Sequence, residues 1–358
     1  MLDTKKQRII AASVAAAVVL AGGLAVALTG GEDPPPPTTT TTTEPTTTTT
    51  VATTTTVPAP IAPLTGVLSD PGRIARPALA VKIDNGDPKA RPQVGLNEAD
   101  VVYEERVEGS VTRLLALFHS TDSVPVGPVR SARTSDIGIF SALHRPFFAW
   151  SGANPTFADR IRSANIVDVG YDALSGEYFR EPSRSAPQNL MLKSTATIMG
   201  LPSEGSAPPP PLFTYRAPSA VNVHLEPVAG VNITYGSSAG SAPVDYRWNG
   251  TGWDRFQKGT PHVDTAGRQV SPQNVIVQFV NYAPTDVADQ FGVFIPEAQL
   301  VGEGDVWVLT NGGLVPGRWR KTAPEAVTEY LDVDGNPIPL TPGRTWVALP
   351  SPGGVTKL

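Results

Sequence analysis

The sequence predicts an α/β or α+β domain with a mixed sheet, followed by a mainly antiparallel β domain. In residues 63–205, short apolar runs alternate with helix-start signals such as Asn154-Pro155, which is typical of strands that alternate with helices. In residues 220–355, short apolar runs are separated by hairpin turns such as Asn249-Gly250. Because a proline-rich stretch, 208–211, lies between these regions, we expect two separate packing units.

The first region contains five strand-like runs and three helix-like segments. Its first strand runs into the polar turn Asp84-Asn85-Gly86, and the helix after Asn154 has proline at the favoured first position. Another helix has Asp136 near its positive end. The predicted strands are 78–83, 99–107, 112–119, 127–130 and 146–150, and the predicted helices are 135–143, 155–164 and one within 185–199.

The second region repeats a short pattern of apolar run and turn. Turn sequences such as Asn311-Gly312-Gly313 recur at hairpin-like spacing, which favours a β-sandwich or a partial barrel. The predicted strands are 232–235, 246–248, 274–280, 305–310, 314–319, 329–331 and 345–349.

Residues 9–28 form an uncharged apolar segment directly after three basic residues. About 20 residues at about 1.5 Å each match a bilayer core of about 30 Å. Because basic flanks stay in the cytoplasm, we expect residues 1–8 to form a cytoplasmic tail and the bulk of this single-pass protein to lie outside. The alternative is a secretory signal cleaved near residues 25–27, which exports the same domains.

Residues 29–62 are rich in Thr and Pro and predict a disordered linker that holds the folded part away from the membrane. The chain contains no Cys. This excludes disulfides, a thiolate zinc site and a lipid-modified cysteine. We therefore expect the apolar segment itself to attach the protein to the cell membrane.

The composition and motifs also limit the classes of partner, metal and cofactor that we expect. A formal net charge of −5 argues against a nucleic-acid partner, because phosphate binding along a strand needs a basic face. The 4 His residues are scattered without a metal-binding spacing, so we expect no metal site. We also expect no cofactor, because neither a P-loop nor a dinucleotide-binding motif opens a helix.

An arginine-rich segment at a strand-to-helix junction is the main candidate for a binding site. Arg130 and Arg133 lie three residues apart, with Ser131 and Ser135 beside them, and Arg113 lies on a neighbouring predicted strand. The planar guanidinium fork suits carboxylate or phosphate, and helix N–H groups near Ser135 would add donors. The segment therefore predicts a site for an anion.

The alternative is that these arginines have a structural role. Arg130 and Arg133 would then form ion pairs with carboxylates of the acidic second strand and its flank, namely Glu104, Glu105 or Asp100. Strand alternation places Glu104 and Glu105 on opposite faces of the sheet. Both explanations remain open at the level of the sequence.

Polar residues near strand ends are candidates for the rim of this site, since ligands of α/β folds bind there. They are Lys82, Asp84, Asn85, Glu104 and Asn154. Asp84 can act as a base, and Asn85 can orient a substrate. Alternatively, the two residues only bond the local backbone of their turn.

Several motifs together resemble one known family. The chain resembles the YerB-like envelope proteins of Gram-positive bacteria, the family of the domain of unknown function numbered 3048. The resemblance covers about residues 63–350 and rests on PLTG, VKIDN, KARPQVGLNEADVVYEERVEG, TRLLALF, GPVRSAR, NVIVQFV, NGGLVPGRW and TPGRTWVAL. It implies an extracytoplasmic envelope protein, and it supplies no catalytic residues because the family has no settled activity. Relatives are often lipoproteins, whereas this chain lacks the cysteine.

A second likeness concerns mechanism. The succession of TRLLALF, VGPVRSAR and FFAWSGANP is similar to the order of motifs in LytR-CpsA-Psr ligases, which transfer lipid-linked polymers to the cell wall. The chain departs from that pattern because Thr112-Arg113 is followed by Leu114 and no Arg-x-Asp precedes the strand.

We expect a membrane-tethered extracytoplasmic protein that binds an anionic cell-wall component or another envelope protein. One alternative is an enzyme on lipid-linked phosphate precursors that uses Arg113, Arg130, Arg133 and Asp84. Another is a non-catalytic scaffold that docks a protein. The sequence favours binding over catalysis. Whether the arginines converge on one cleft is the structural feature that tests the presence of a shared site.

Overall fold

The computed structural model describes residues 60–217, 220, 224–236, 241–289 and 291–358. These residues belong to one compact unit. Among their helices, none is long and apolar enough to cross a bilayer. The predicted tail and apolar segment, and the predicted linker up to residue 59, lie outside the described residues.

The first region forms short helices between strands, as predicted. Its helices are α1 (Pro71–Ile74), α2 (Ser135–Phe140), α3 (Pro155–Ser163) and α4 (Thr195–Met199). Its strands are β1 (Leu79–Asp84), β2 (Val101–Arg106), β3 (Thr112–Phe118), β4 (Phe147–Ala149), β5 (Val167–Asp168), β6 (Tyr178–Arg180) and β7 (Leu190–Leu192). The predicted strand 127–130 forms only isolated bridges, such as the one between Val129 and Ile83.

The second region consists of strands. They are β8 (Glu226–Pro227), β9 (Gly230–Ile233), β10 (Val244–Trp248), β11 (Trp253–Gln257), β12 (Thr260–Pro261), β13 (Asn274–Gln278), β14 (Tyr282–Ala288), β15 (Phe294–Ala298), β16 (Gly302–Thr310), β17 (Gly313–Lys321), β18 (Glu329–Asp332), β19 (Thr345–Leu349) and β20 (Val355–Lys357). The hairpin β14–β15 was not predicted, because Pro284 interrupts its strand pattern.

The described strands form one large mixed sheet, a smaller antiparallel sheet and two two-stranded sheets, β6–β7 and β14–β15. The order of the main sheet is β18-β17-β16-β13-β19-β2-β3-β1-β4-β5, with β8 beside β17. β2, β3 and β1 are antiparallel, whereas β4 and β5 continue from β1 in parallel. The second sheet has the order β12-β11-β10-β9-β20. The predicted fold class is confirmed: a mixed sheet in the first region and mainly antiparallel strands in the second.

The two regions share one sheet, so the expectation of separate packing units is wrong for the described residues. β19 lies between β13 and β2 and is parallel to both. Thr345 lies opposite Val101, and Leu349 lies opposite Glu105. Backbone hydrogen bonds therefore join β19 of the second region to β2 of the first, and the proline-rich stretch lies in the connection between α4 and β8.

The two faces of the main sheet bury different layers. One face packs against the second sheet in a core that includes Val81, Val102 and Trp253. The other face packs against α2 in a core that includes Leu115 and Phe140. Side chains that are neighbours along one strand therefore enter different cores.

A fully buried ion pair joins β2 to β11 of the second sheet. Nη2 of Arg255 donates to both carboxylate oxygens of Glu104, at 2.8 and 3.1 Å. The indole N–H of Trp346 and the hydroxyl of Thr112 donate to the same carboxylate. The buried carboxylate is thereby neutralised and hydrogen-bonded, which is the condition for tolerating such a charge.

The same network holds His262 in its neutral form. Arg255 also donates to Nδ1 of His262, so Nε2 of His262 carries the proton and donates to Oε1 of Gln93 at 2.7 Å. Burial, and then the charges of Arg255 and Arg91, lowers the pKa of His262 well below its usual value. His262 is therefore a structural, uncharged member of the network at neutral pH.

We expect Arg255→Met to lower the free energy of unfolding by about 3–5 kcal/mol, because Glu104 stays buried without its cation. The matched control is Arg318→Met, since Arg318 is half exposed and pairs with exposed Asp305 and Glu303. Its effect should stay within about 1 kcal/mol. Urea unfolding of residues 57–358 measures both, and equal effects would contradict the role of the buried pair.

Asp100, directly before β2, is a buried carboxylate at the turn that follows β3. It accepts the backbone N–H groups of His119 and Ser120, at 2.6 and 2.8 Å, and the Ser120 hydroxyl. Burial raises the pKa of Asp100 to about 6 in spite of these hydrogen bonds. Burial also lowers the pKa of His119 to about 4, so the two residues act oppositely on stability over one pH range.

Because the pKa of Asp100 is raised in the folded state, its contribution to stability falls as the pH rises from about 4 to above 6. Asp100→Asn removes this fall. The free energy of unfolding of the variant, minus that of the wild type, should therefore rise by about 2–3 kcal/mol between about pH 4 and about pH 7. His119 is present in both proteins and cancels from the difference.

Urea titrations at several pH values measure this difference. Asp159→Asn, at an exposed position of α3, is the control and should follow the wild type. A difference between Asp100→Asn and the wild type that does not change with pH would refute a titration of Asp100 in this range.

Candidate functional site

A cleft of about 720 Å³ lies where β3, α3 and the β14–β15 hairpin meet. Its lining includes five of the predicted site residues, namely Arg113, Arg130, Ser131, Arg133 and Asn154. Ser151 and Gly152 also line it, as do the carboxylates Glu108 and Asp289. The structure therefore brings together the three arginines that the sequence grouped as an anion site.

Backbone hydrogen bonds hold the arginine-bearing segment in place. The N–H of Arg130 donates to the carbonyl of Lys82 at 2.9 Å, which ties the segment to β1. The N–H of Ser151 donates to the carbonyl of Arg130 at 3.0 Å, and the N–H of Ala132 donates to the carbonyl of Gly152 at 3.2 Å. The segment therefore runs beside the turn before α3, and both line the cleft.

Two of the three arginines are paired with carboxylates. Arg133 donates from Nε and Nη2 to Glu108, at 2.7 to 3.1 Å. Burial acts to raise the pKa of Glu108, but the charge and hydrogen bonds of Arg133 lower it below its usual value. Nε of Arg130 donates to Oδ2 of Asp84 at 3.1 Å. These pairs agree with the structural alternative, although the carboxylates differ from those that the sequence suggested.

Arg113 differs from the other two arginines. Its Nη1 donates to the backbone carbonyl of Ser131 at 2.9 Å. Among the described residues, no carboxylate forms an ion pair with it. Burial lowers the pKa of Arg113 to about 9, and the charge of Arg133 contributes further. Arg113 is half-buried and remains protonated at neutral pH, so the cleft contains a partly exposed cation without a hydrogen-bonded counter-charge.

Lys82 lies behind the arginine-bearing segment and is fully buried. Its ammonium group bonds to Oε1 of Glu105 and, at 2.6 Å, to Oδ1 of Asp136. Burial raises the pKa of Glu105, and the charge of Asp136 adds to this while Lys82 opposes it. Oε2 of Glu105 is buried without a hydrogen-bond partner. One cation therefore serves two buried carboxylates.

Three further predicted site residues lie away from the cleft. Ser135 is buried, and its hydroxyl accepts the N–H of Ala298 at 2.9 Å. α2 has only 6 residues, and the N–H groups of Asp136 and Ile137 donate to carbonyls of the preceding turn, so these two of the expected donors are already in use. Asn85 and Glu104 belong to the buried network on the opposite face, where they bond to each other at 3.3 Å.

The sequence did not reveal the apolar wall of the cleft. Phe157 of α3 lines this wall together with Ala288, Phe291 and Ile295 of the β14–β15 hairpin. The hairpin is about 130 residues further along the chain than α3, and its approach is a long-range contact. The one available signal is the apolar run Phe291–Phe294, which is unusual for a hairpin tip.

Within the described residues, one group of histidine and carboxylate atoms is compact enough to hold a metal ion. The ligand atoms of His224, Asp332 and Asp334 lie within 4.8 Å of one another. Nε2 of His224 lies 2.7 Å from Oδ2 of Asp334. Oδ1 of Asp332 accepts the N–H groups of Asp334 and Asn336. These hydrogen bonds account for the closeness, and the expectation of no metal site stays a prediction.

Comparison with known proteins gives one consistent result. Residues 64–205 match the N-terminal domain, and residues 231–347 the C-terminal domain, of the family described as "Protein of unknown function (DUF3048)". "Putative lipoprotein YerB" of Bacillus subtilis (strain 168) is 28% identical over 296 residues, which are 80% of this chain and 85% of that protein.

The crystal structure of the YerB protein from Bacillus subtilis has the same fold. It matches with a TM-score of 0.71 at 24% identity, and the match covers 84% of this chain and 99% of that chain. An isolated chain of this extent therefore folds and crystallises in a relative. The resemblance to YerB-like proteins that the motifs indicated is confirmed.

The buried group of Lys82, Glu105 and Asp136 yields a contrast between two variants. Lys82→Met leaves two carboxylates buried without their cation and should cost about 3–5 kcal/mol of stability. Glu105→Gln removes one of the two competing carboxylates, and burial already disfavours its charge. It should therefore cost less than about 1 kcal/mol, or stabilise the protein. Urea unfolding at neutral pH measures both, and a loss for Glu105→Gln as large as for Lys82→Met would contradict this account.

Proposed function

The chain belongs to the DUF3048 family, whose function is unknown, and we propose that it is an extracytoplasmic protein held at the membrane whose arginine cleft binds an anionic group of an envelope component. The name of YerB as a lipoprotein supports a position at the membrane. The apolar segment 9–28 supports attachment by a helix, since the chain has no cysteine to carry a lipid. A phosphate or carboxylate of a cell-wall polymer is the proposed target.

The observation that carries this proposal is the guanidinium group of Arg113. Arg113 is half-buried, and a cation that is partly removed from water without a paired carboxylate attracts a counter-charge. An anionic ligand in the cleft would supply it, and the guanidinium fork can bind two oxygens of a phosphate or carboxylate at once. Arg130 and Arg133 lie at the same cleft and strengthen its attraction for an anion.

The N-terminus of α3 adds to this attraction. Asn154 lines the cleft, and its side chain caps the helix by accepting the N–H of Thr156. The positive end of the helix dipole therefore lies at the border of the cleft and favours negative charge.

Binding is better supported than catalysis. Both carboxylates that line the cleft are engaged: Glu108 holds Arg133, and Oδ1 of Asp289 accepts the N–H groups of Phe291 and Val293. Asp84, the base that the sequence suggested, accepts hydrogen bonds from Arg130 and Gln188. An enzyme on lipid-linked phosphates would need a carboxylate free to take up a proton. A purely docking scaffold does not require a half-buried arginine without a carboxylate partner inside a cleft.

We expect Arg113→Met to weaken binding of inorganic pyrophosphate by about 10- to 150-fold, which corresponds to about 1.5–3 kcal/mol for a lost charged hydrogen bond. The thermal midpoint should stay the same or rise, because the variant removes a charge that burial disfavours. A merely structural arginine would give the opposite pair of results, a lower midpoint and unchanged affinity.

Titration calorimetry and a thermal melt of the same samples separate these cases. Arg160→Met is the matched control, because Arg160 is a surface cation that pairs with exposed Asp286 outside the cleft lining. It should keep the affinity of the wild type. If Arg113→Met binds pyrophosphate as the wild type does, the proposed anion site is wrong.

A further inference from the structure

The arginine cleft has a cationic side and an apolar side. The apolar side is the wall of Phe157 and the β14–β15 hairpin, and it faces the same space as the arginines. Phe157 packs with Val287 and Ile295 in a small core of their own. This core attaches the hairpin to α3, so the apolar wall is a built part of the cleft.

Three large apolar side chains are exposed at or beside the tip of this hairpin, one before Gly292 and two after it. Phe291 is 80% exposed, Val293 61% and Phe294 56%. The tip is braced, because Oδ1 of Asp289 accepts the N–H groups of Phe291 and Val293 at 2.8 and 2.9 Å. An exposed apolar group of this size beside a binding cleft indicates a surface that contacts an apolar partner.

We propose that the ligand of the cleft is an amphiphilic phosphate, that is, a phosphate or pyrophosphate ester of a long apolar chain. The phosphate binds at Arg113, and the apolar chain lies along the wall and reaches the hairpin tip at Phe291. This inference rests on the proposed function and adds the class of ligand. A free inorganic anion would use the arginines and leave the apolar wall and tip without a role.

The charges of the hairpin favour a single amphiphile over the surface of a membrane. Asp286 and Asp289 lie on the same hairpin as the apolar tip. Asp286 pairs with Arg160 at 2.6 Å, whereas Asp289 forms no ion pair among the described residues. The carboxylate of Asp289 opposes close contact of the tip with the anionic surface of a bilayer. A single amphiphile that enters the cleft with its phosphate avoids this repulsion, because its charge meets the arginines.

The test compares inorganic phosphate with farnesyl phosphate, below its micelle concentration, on residues 57–358. The wild type should bind farnesyl phosphate at least about tenfold more tightly than phosphate, since the chain buries apolar area. Phe291→Ser should lose about fivefold or more of the affinity for farnesyl phosphate and keep its affinity for phosphate. The matched control is Leu68→Ser, at an apolar residue that is 69% exposed and lies outside the cleft lining.

The outcomes separate this inference from the proposed function. If the wild type binds both probes with equal affinity, or if Phe291→Ser keeps its affinity for farnesyl phosphate, the proposal of an amphiphilic ligand is refuted. The proposed anion site is not affected by either result. Phosphate binding that is insensitive to Arg113→Met refutes the anion site itself. Phe291-dependent sedimentation with phosphatidylglycerol vesicles, without a gain for farnesyl phosphate, assigns the tip to a bilayer surface and also overturns the proposal.

Discussion

The parallel pairing of β19 with β2 is the contact on which the rest of the described structure depends. This strand of 5 residues fills the gap between β13 and β2 and so makes one sheet of two regions. Its Trp346 donates to Glu104 and packs against Tyr246 of the second sheet, with ring centroids 6.2 Å apart. The same strand therefore completes the main sheet and attaches the second sheet to it.

Two neighbouring glutamates on β2 show that the two faces of the main sheet differ in how completely their buried charges are paired. Glu104 faces the second sheet, where an arginine, an indole and a hydroxyl satisfy its carboxylate. Glu105 faces the side of the cleft, shares Lys82 with Asp136 and keeps one oxygen unpaired. The fully satisfied group stabilises the fold, whereas incompletely balanced charge is concentrated near the arginines. Such imbalance is common at functional sites, because ligands complete it.

Local sequence patterns predicted the helices and strands of the first region well, but they predicted poorly which distant residues contact one another. The buried strands near Lys82 and Arg113 and the start of α3 at Pro155 follow from apolar runs and capping residues, and the structure has them. The convergence of the arginines was predictable because strand ends and the next turn are close in the sequence. The pairing of Arg133 with Glu108 and the arrival of Phe291 depend on contacts between distant segments, which periodicity does not encode. Ser135 was misplaced because a hydroxyl at a helix start can equally bond to a distant strand.

The large separation between β2 and β19 along the chain has a consequence for biogenesis. Trp346 and Glu104, which meet across the finished sheet, are separated by 242 residues. At synthesis rates of about 5–20 residues per second, β19 is synthesised roughly 10–50 s after β2. During that time β2 has an open edge, which invites pairing with other chains. The pairing with β19 therefore follows the synthesis of most of the described chain, and until then the edge of β2 has to be kept away from other unfinished chains.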